Sequence, residues 1–348
     1  MCPGGRRGLA TRVGINGFGR IGRNVFRAAR EYATFEIVAA NDIGGPETLA
    51  HLLRYDSILG RYPGAVGVID GGILVDGREL KIFSAANPGD IDWAAFGVDV
   101  VIESSGLFTN AEQARPHIDR GGAKKVIITA PATGEDITIC MGVNDGAYQP
   151  ARHDVISNAS CTTNCLAPVA KVIHESFGIE SGLMTTVHAY TGDQRLLDAP
   201  HRDLRRARAA AMSLIPTNSG AAEAVAKVLP ALDGRFRGIA LRVPVPDVSI
   251  VDFTVLTTKP TTAEAINAAL RSAAETSLMG ILRVEDEPLV SIDFRGDSYS
   301  SVVDSQLTVT AGQRHAKVLA WYDNEWGYSC RVAQLTQLVA TTLPQSTG

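Results

Sequence analysis

Two side chains have the type and setting for nucleophilic, covalent chemistry. Cys161 stands in Ser160-Cys161-Thr162-Thr163-Asn164-Cys165, where the pattern predicts the start of a helix. A helix N-terminus stabilises a thiolate, so a thiol there is a better nucleophile. His188 ends the strand-like run LMTTVHAY, just before a polar loop. An imidazole near a thiol can raise its thiolate fraction and shuttle a proton. Plainer readings compete: a single Cys is often only buried, and CxxxC spacing also suits a metal. No second His/Cys pair at a characteristic spacing completes four ligands, however. Cys165 reads as a packed or redox-accessible neighbour. His51, His117 and His153 read as ordinary, partly exposed residues.

A second constellation suits a dinucleotide. Gly17-x-Gly19-x-x-Gly22 follows the strand-like run RVGI and opens a helix-patterned segment. Asp42 ends the next apolar run, FEIVAA-Asn-Asp. Gly17 permits the tight turn, Gly19 lets the backbone approach a pyrophosphate, and Gly22 permits close packing of helix on sheet. The helix amides offer positive potential to the phosphates. Asp42 would accept hydrogen bonds from the adenosine ribose and repel a 2'-phosphate, which favours NAD over NADP. The bland reading of GxGxxG alone is a Gly-rich turn.

The third feature is the loop HRDLRRARAA, which gathers Arg202, Arg205, Arg206 and Arg208. Its plain reading is a solvated or interface surface. Its sharper reading is phosphate recognition, because Arg can grip phosphate bidentately. Arg242, within LRVPVP, is a second candidate, and Thr191, Ser219 and Gly220 offer hydroxyl or amide donors.

These residues need elements to position them. Strand-like runs at 12–15, 35–40, 98–102 and 124–129 alternate with helical patterns at about 20–31, 46–54 and 110–119. The stretch 62–82 turns at Asp70-Gly71-Gly72 and Asp76-Gly77 and reads as antiparallel hairpins. This is the pattern of an α/β, doubly wound, Rossmann-like dinucleotide domain. After about 157 the pattern changes. Helices are expected from Ser160 onward, at 219–229 and at 261–275. Strands are expected at 181–189, 236–243, 248–257, 289–293, 299–309 and 315–321. That half reads as α+β, a mixed-sheet catalytic domain. A last helix over Asn324–Leu343 would return to the first domain. The expected division is 11–160 plus about 325–344 for the dinucleotide domain and 161–324 for the catalytic and oligomerisation domain.

Composition bounds the partners. The chain has 348 residues, 45% hydrophobic and 20% charged, which suits two ordinary cores. A net charge of -4 gives no general case for nucleic acid. Any anionic ligand must be held by a local site. Five widely spaced Cys do not suggest a disulfide framework, and no apolar run has the length of a membrane span. A cytoplasmic protein is expected, with the first ten residues a frayed extension.

The motifs together resemble the glyceraldehyde-3-phosphate dehydrogenase family. The matching stretches are GINGFGRIGR at 14–23, AND at 40–42, HLLRYDSILG at 51–60 and SNASCTTNCLAP at 157–168. They continue with HAYTGDQ at 188–194, DLRRARAA at 203–210, LRVPVP at 241–246 and WYDNEWGYS at 321–329. The resemblance implies Cys161 as nucleophile and His188 as general base. It implies a cofactor set of Asn16, Gly17, Gly19, Arg20, Ile21, Asp42, Ser105, Gly106, Thr129, Asn324 and Tyr328, with Asn324 on the nicotinamide carboxamide. Thr191 and Arg242 match the site for the substrate phosphate. Ser160, Thr162, Ser219 and Gly220 match that for attacking inorganic phosphate, and Arg206 lies between the two. The resemblance implies a homotetramer that oxidises glyceraldehyde 3-phosphate with NAD and phosphate through a thioester.

The departures from the family pattern are informative. Ser219 stands where Thr is usual, and Glu223 where the family carries Lys. If it faced inward, Glu223 would weaken phosphate binding; an exposed position is the favoured reading. Gly44-Gly45, Gly192 and Ala199 resemble the NADP-using branch, but Ile43 and Pro200 replace its hydroxyls, so NAD is preferred and NADP stays an alternative. Erythrose-4-phosphate dehydrogenase is a neighbouring activity that uses the same Cys–His chemistry. RNA or protein binding in the dinucleotide groove is a reading from a different class.

Overall fold

The computed structural model describes residues 10–343. The expected frayed N-terminal extension and the last residue of the expected return helix therefore fall almost wholly outside the described residues. Two compact units emerge. The first holds the described residues through Thr138, Tyr148–Asn158 and those from Val332 onward; the second holds Ile139–Ala147 and Ala159–Arg331. The sequence boundary at 160 lies two residues beyond Asn158, and the helix Trp326–Thr342 starts in the second unit and ends in the first.

The first unit is built on a nine-stranded sheet. Its order is Ile137–Thr138, Val155–Ser157, Lys125–Ile128, Val100–Glu103, Thr11–Asn16, Phe35–Asn41, Arg78–Phe83, Gly72–Val75 and Val66–Ile69. The strands pair in parallel from Ile137–Thr138 as far as Arg78–Phe83, and the last two are added antiparallel as hairpins. The hairpin turns fall at Asp70-Gly71 and Asp76-Gly77. The central strands are buried on both faces, as their unbroken Val/Ile runs require. The helix expected at 110–119 is two short helices, Ala111–Ala114 and Pro116–Asp119, because Pro116 has no N–H to continue the first.

The second unit carries a mixed sheet. Its main path runs Ile215–Asn218, Phe236–Val243, Ile179–Ala189, Ser249–Thr257, His315–Tyr322, Ser301–Asp304 and Leu282–Glu285. Ile179–Ala189 pairs parallel to Phe236–Val243 and antiparallel to Ser249–Thr257. One sheet face buries the helices Cys161–Phe177, Ala221–Val228 and Ala263–Glu275 around Leu166, Ile173, Val225, Phe253 and Ile266. The strand expected at 289–293 is instead a short 3-10 turn, Ser291–Phe294, which buries Phe294 on Trp321. The run expected as one strand over 299–309 divides into Ser301–Asp304, a 3-10 turn and Val309–Ala311. Apolar runs this short do not reveal their own periodicity.

Candidate active site

Cys161 is the first residue of the seventeen-residue helix Cys161–Phe177. Ser160 caps that helix: its hydroxyl accepts from the Thr163 amide at 3.0 Å, satisfying one of the orphan donors of the first turn. The turn before it bends at Ala159, whose φ of 56° is left-handed. The Tyr328 hydroxyl donates to the Ala159 carbonyl at 2.9 Å and holds that turn. The Tyr328 hydroxyl is thus engaged by the backbone of the turn that leads to Cys161.

His188 reaches Cys161 from the end of the strand Ile179–Ala189. Its Nε2 lies 3.4 Å from the Cys161 Sγ. Parallel pairing sets His188 directly beside Arg242. Arg242 Nη1 then lies 2.8 Å from His188 Nδ1, 3.0 Å from the Ala189 carbonyl and 3.2 Å from the Thr191 hydroxyl. His188 Nδ1 is also 2.7 Å from the Ala189 carbonyl. A carbonyl only accepts and a guanidinium only donates, so Nδ1 serves one of the two at a time. When Nδ1 carries the proton and donates to Ala189, Nε2 faces the thiol as an acceptor.

The electrostatics follow from burial. Burial raises the Cys161 thiol, opposed by the Arg242 charge, by the Thr162 hydroxyl and by the amides of Thr162 and Cys161. Burial, then Arg242, pushes His188 down to about 3. Both shifts favour the uncharged forms of the thiol and the imidazole. The expected helix-start donors are present and favour the thiolate, while desolvation opposes them.

A cluster of polar and charged side chains adjoins the pair. Asp193 accepts from the Thr191 hydroxyl and forms an ion pair with Arg206 at 2.8 Å. The Nε atoms of Arg206 and Arg242 are buried without a hydrogen-bond partner. Buried orphan donors of this kind fit a ligand carrying several acceptor oxygens. Of the four loop arginines only Arg206 turns inward; Arg202, Arg205 and Arg208 are exposed. A second cluster forms where the helix Ala221–Val228 begins. The Thr163 hydroxyl donates to the Ala221 carbonyl at 3.4 Å, which brings Ser160 close to the Ser219–Gly220 turn. The Thr162 hydroxyl lies 2.8 Å from the Tyr322 hydroxyl, so its amide is the more available group for an anion. Glu223 is exposed in the first turn of this helix.

The dinucleotide motif lies wholly in the first unit. Gly17 adopts φ +91°, and a Cβ there would come 2.5 Å from the Ser105 amide nitrogen. A Cβ on Gly22 would come 2.2 Å from the Gly17 carbonyl, whereas nothing lies within 4 Å of one built on Gly19. The turn is thus closed at both ends and open in the middle, where the helix Arg20–Ala28, with Ile21 in its first turn, starts without a side-chain cap. Asp42 accepts from the amides of Phe18 and Gly44, both at 2.9 Å, and so stands beside this turn. Arg20 pairs with Asp56 at 2.8 Å. These residues fit a dinucleotide pyrophosphate and ribose.

Asn16 and Thr129 both hydrogen-bond to Glu103. Asn16 is buried and donates to Glu103, and the Thr129 hydroxyl donates to the Glu103 carbonyl at 3.1 Å. Glu103 also accepts from the amide and hydroxyl of Ser105, which precedes the left-handed Gly106. His117 corrects the reading of an exposed residue. It is fully buried, accepts from Trp93 Nε1 at 2.9 Å and sits 3.0 Å from Glu103. In the second unit, the Asn324 side-chain oxygen accepts from Ser249 at 2.8 Å. That leaves its amide group as a donor. No group of three or more metal-ligating side chains occurs among the described residues, and no described helix is long and apolar enough to cross a membrane.

Family comparison decides what this geometry belongs to. Residues 11–111 match the NAD binding domain of glyceraldehyde 3-phosphate dehydrogenase, and residues 160–324 match its C-terminal domain. The chain belongs to the glyceraldehyde-3-phosphate dehydrogenase family. It is 56% identical to glyceraldehyde-3-phosphate dehydrogenase 2 of Streptomyces arenae over 96% of this chain and all of the relative. It is also 56% identical to the Geobacillus stearothermophilus enzyme over 96% of this chain and 99% of that one, and 53% identical to glyceraldehyde-3-phosphate dehydrogenase 1 of Bacillus subtilis over 95% and 99%. The dehydrogenase is an oxidoreductase that uses NAD and acts on glyceraldehyde 3-phosphate. Sequence reasoning missed Asp193, Ser249, Glu103 and Tyr322. Asp193 lies inside the matched HAYTGDQ stretch and Tyr322 inside WYDNEWGYS; Ser249 and Glu103 lie outside the matched stretches.

Proposed function

We propose that this dehydrogenase works by covalent catalysis, with Cys161 as nucleophile and His188 as proton acceptor, and that it is phosphorylating. The observation that carries the reading is the 3.4 Å approach of Sγ to Nε2 beside the partnerless Nε of Arg242. Thr191, Arg206 and Arg242 hold the substrate phosphate. Ser160, the Thr162 amide, Ser219 and Gly220 receive inorganic phosphate.

The chain's residues act in sequence. His188 Nε2 takes the thiol proton as Sγ bonds to the aldehyde carbon, and returns it to the new oxygen, giving a hemithioacetal on Cys161. His188 then removes that hydroxyl proton as the carbon is oxidised, leaving an acyl-thioester. NAD, when bound, would supply the two-electron acceptor for the hydride that leaves this carbon. Amides at the helix start and His188 Nε2–H face the developing oxyanion. A phosphate oxygen then displaces Sγ, the C–S bond breaks, and His188 returns its proton to the thiolate. The product is 1,3-bisphosphoglycerate. Gly17, Gly19, Arg20, Ile21 and Asp42 hold the dinucleotide phosphates and ribose, with Ser105, Gly106, Thr129 and Asn16 shaping the neighbouring strand ends. The Asn324 amide donates to the nicotinamide carboxamide.

We assign NAD binding to the first unit, and catalysis and oligomerisation to the second. A homotetramer is supported by the exposed Leu196, Leu197, Leu204, Met212 and Leu214 on the loop that carries Arg206. A cytoplasmic location agrees with four free cysteines among the described residues. A steady-state assay tests the reading, with glyceraldehyde 3-phosphate and erythrose 4-phosphate, each with and without inorganic phosphate. Phosphate-dependent NADH formation with the triose, lost in Cys161→Ser, is expected. Sustained phosphate-independent turnover, or preference for the tetrose, would overturn it.

A further inference from the structure

Asp247 and Asp323 form a buried carboxyl pair that the reaction does not use. Asp247 is 7% exposed and Asp323 is 1% exposed. Neither side-chain oxygen of Asp247 meets a partner in good hydrogen-bond geometry; the groups that act on it at close range are the Asp323 carboxyl, which raises it, and the Val248 amide, which opposes the rise. Asp323 is well supplied: it accepts from Gly296 at 2.8 Å, from Glu325 at 2.9 Å and from Trp326 at 2.7 Å, the last two opening the final helix. Two buried carboxylates at hydrogen-bond range cannot both be ionised without a large cost; one proton between them removes the repulsion and makes a hydrogen bond. Among the described residues no cluster of metal ligands supplies a cation instead.

The pair brackets the nicotinamide anchor. Asp247, the left-handed Val248 (φ 66°) and Ser249 run beside Asp323 and Asn324. Ser249 accepts from the Ala189 amide at 3.0 Å and donates to Asn324 at 2.8 Å. The two segments are thus joined once by Ser249–Asn324 and, one step away, by the two carboxyls. We propose that Asp247 is a positioning residue: it carries a proton shared with Asp323, and this second tie fixes the direction in which Asn324 presents its amide. The proposal rests on the reading of Asn324 as the nicotinamide contact.

Burial first, then the charges of Asp323 and Glu325, raises Asp247 to about 8; burial also raises Asp323. Glu325 is a second acid acting on Asp247, so both neighbouring carboxylates favour retention of the proton, against the Val248 amide. The linkage sign follows. The folded protein keeps a proton that an unfolded Asp loses near its ordinary value. This contribution to stability is complete below that value, declines as pH rises, and is gone above about 8.

The test uses the full-length enzyme. Infrared difference spectra of wild type minus Asp247→Asn should show a protonated carboxyl C=O band at pH 6.5 that disappears on alkaline titration. Over the same window the unfolding equilibrium constant should rise in wild type relative to Asp247→Asn by up to tenfold per pH unit. Asp247→Ala should raise the KM for NAD with a smaller effect on kcat, and Asp247→Asn, a permanent donor to Asp323, should rescue it. Absence of the band at pH 6.5, or failure of Asn to rescue what Ala loses, overturns the proposal. Failure of the Asn324 assignment shows separately, as an unchanged KM for NAD in Asn324→Ala.

Discussion

Replacing Arg242 with Gln tests two roles of one residue, in phosphate recognition and in the electrostatics of Cys161. Arg242 Nη1 already serves His188, Ala189 and Thr191, and its buried Nε has no partner. A substrate phosphate that bonds Nε therefore gains at least one charge-assisted hydrogen bond, worth about 1.5–3 kcal/mol. At about 1.4 kcal/mol per tenfold, the preference for glyceraldehyde 3-phosphate over unphosphorylated glyceraldehyde should fall about 10- to 150-fold in kcat/KM. The same change removes the charge that opposes the rise of the Cys161 thiol, so the pH profile of Cys161 alkylation should move to higher pH. Steady-state kinetics on both aldehydes and iodoacetamide inactivation against pH measure the two effects. An unchanged preference with an unchanged alkylation profile would refute the assignment of Arg242 to both roles.

Other perturbations probe separate parts of the site. His188→Asn keeps a polar side chain but loses the proton acceptor, and should lower kcat by about 10²–10⁴-fold while thermal unfolding changes little. Asp42→Ala should lower the NAD-to-NADP ratio of kcat/KM by removing a carboxylate that repels a 2'-phosphate; a ratio that does not move would sink the repulsion argument. Glu223→Lys should lower the KM for inorganic phosphate at low ionic strength. The gain should shrink near physiological salt, where charges more than about 8 Å apart are screened. No change at any salt concentration would remove the electrostatic role of this exposed residue.

Much of this was legible because the chemistry is written in contiguous runs. Gly17, Gly19, Gly22 and Asp42 announce a βαβ turn on spacing alone, since each glycine answers a steric demand within a few residues. Cys161 is readable as a helix start because Ser160 is a cap. The pairing of His188 with Cys161 was an inference from type, and that with Arg242 depends on the register of two strands separated by some fifty residues, which no local pattern encodes. Burial explains one correction and one property that the pattern does not display. His117 follows Pro116 in a short polar helix and looks exposed, yet Trp93 and Glu103 from distant segments enclose it. The Cys161 thiol has the expected helix-start donors, but desolvation, which the sequence does not display, raises it. Asp247 was invisible as a site for the same reason: a lone acid between a proline and a valine becomes unusual only when Asp323 arrives beside it.

The central claim is that oxidation is stored as a thioester on Cys161 until phosphate releases it. A rapid-mixing experiment with enzyme, NAD and glyceraldehyde 3-phosphate, but no phosphate, tests it most directly when followed by peptide mass analysis. The account predicts a burst of one NADH per active site, an acyl adduct on the Cys161 peptide, and discharge of that adduct on addition of phosphate. NADH formation that continues without phosphate, or an adduct on any residue other than Cys161, would contradict it.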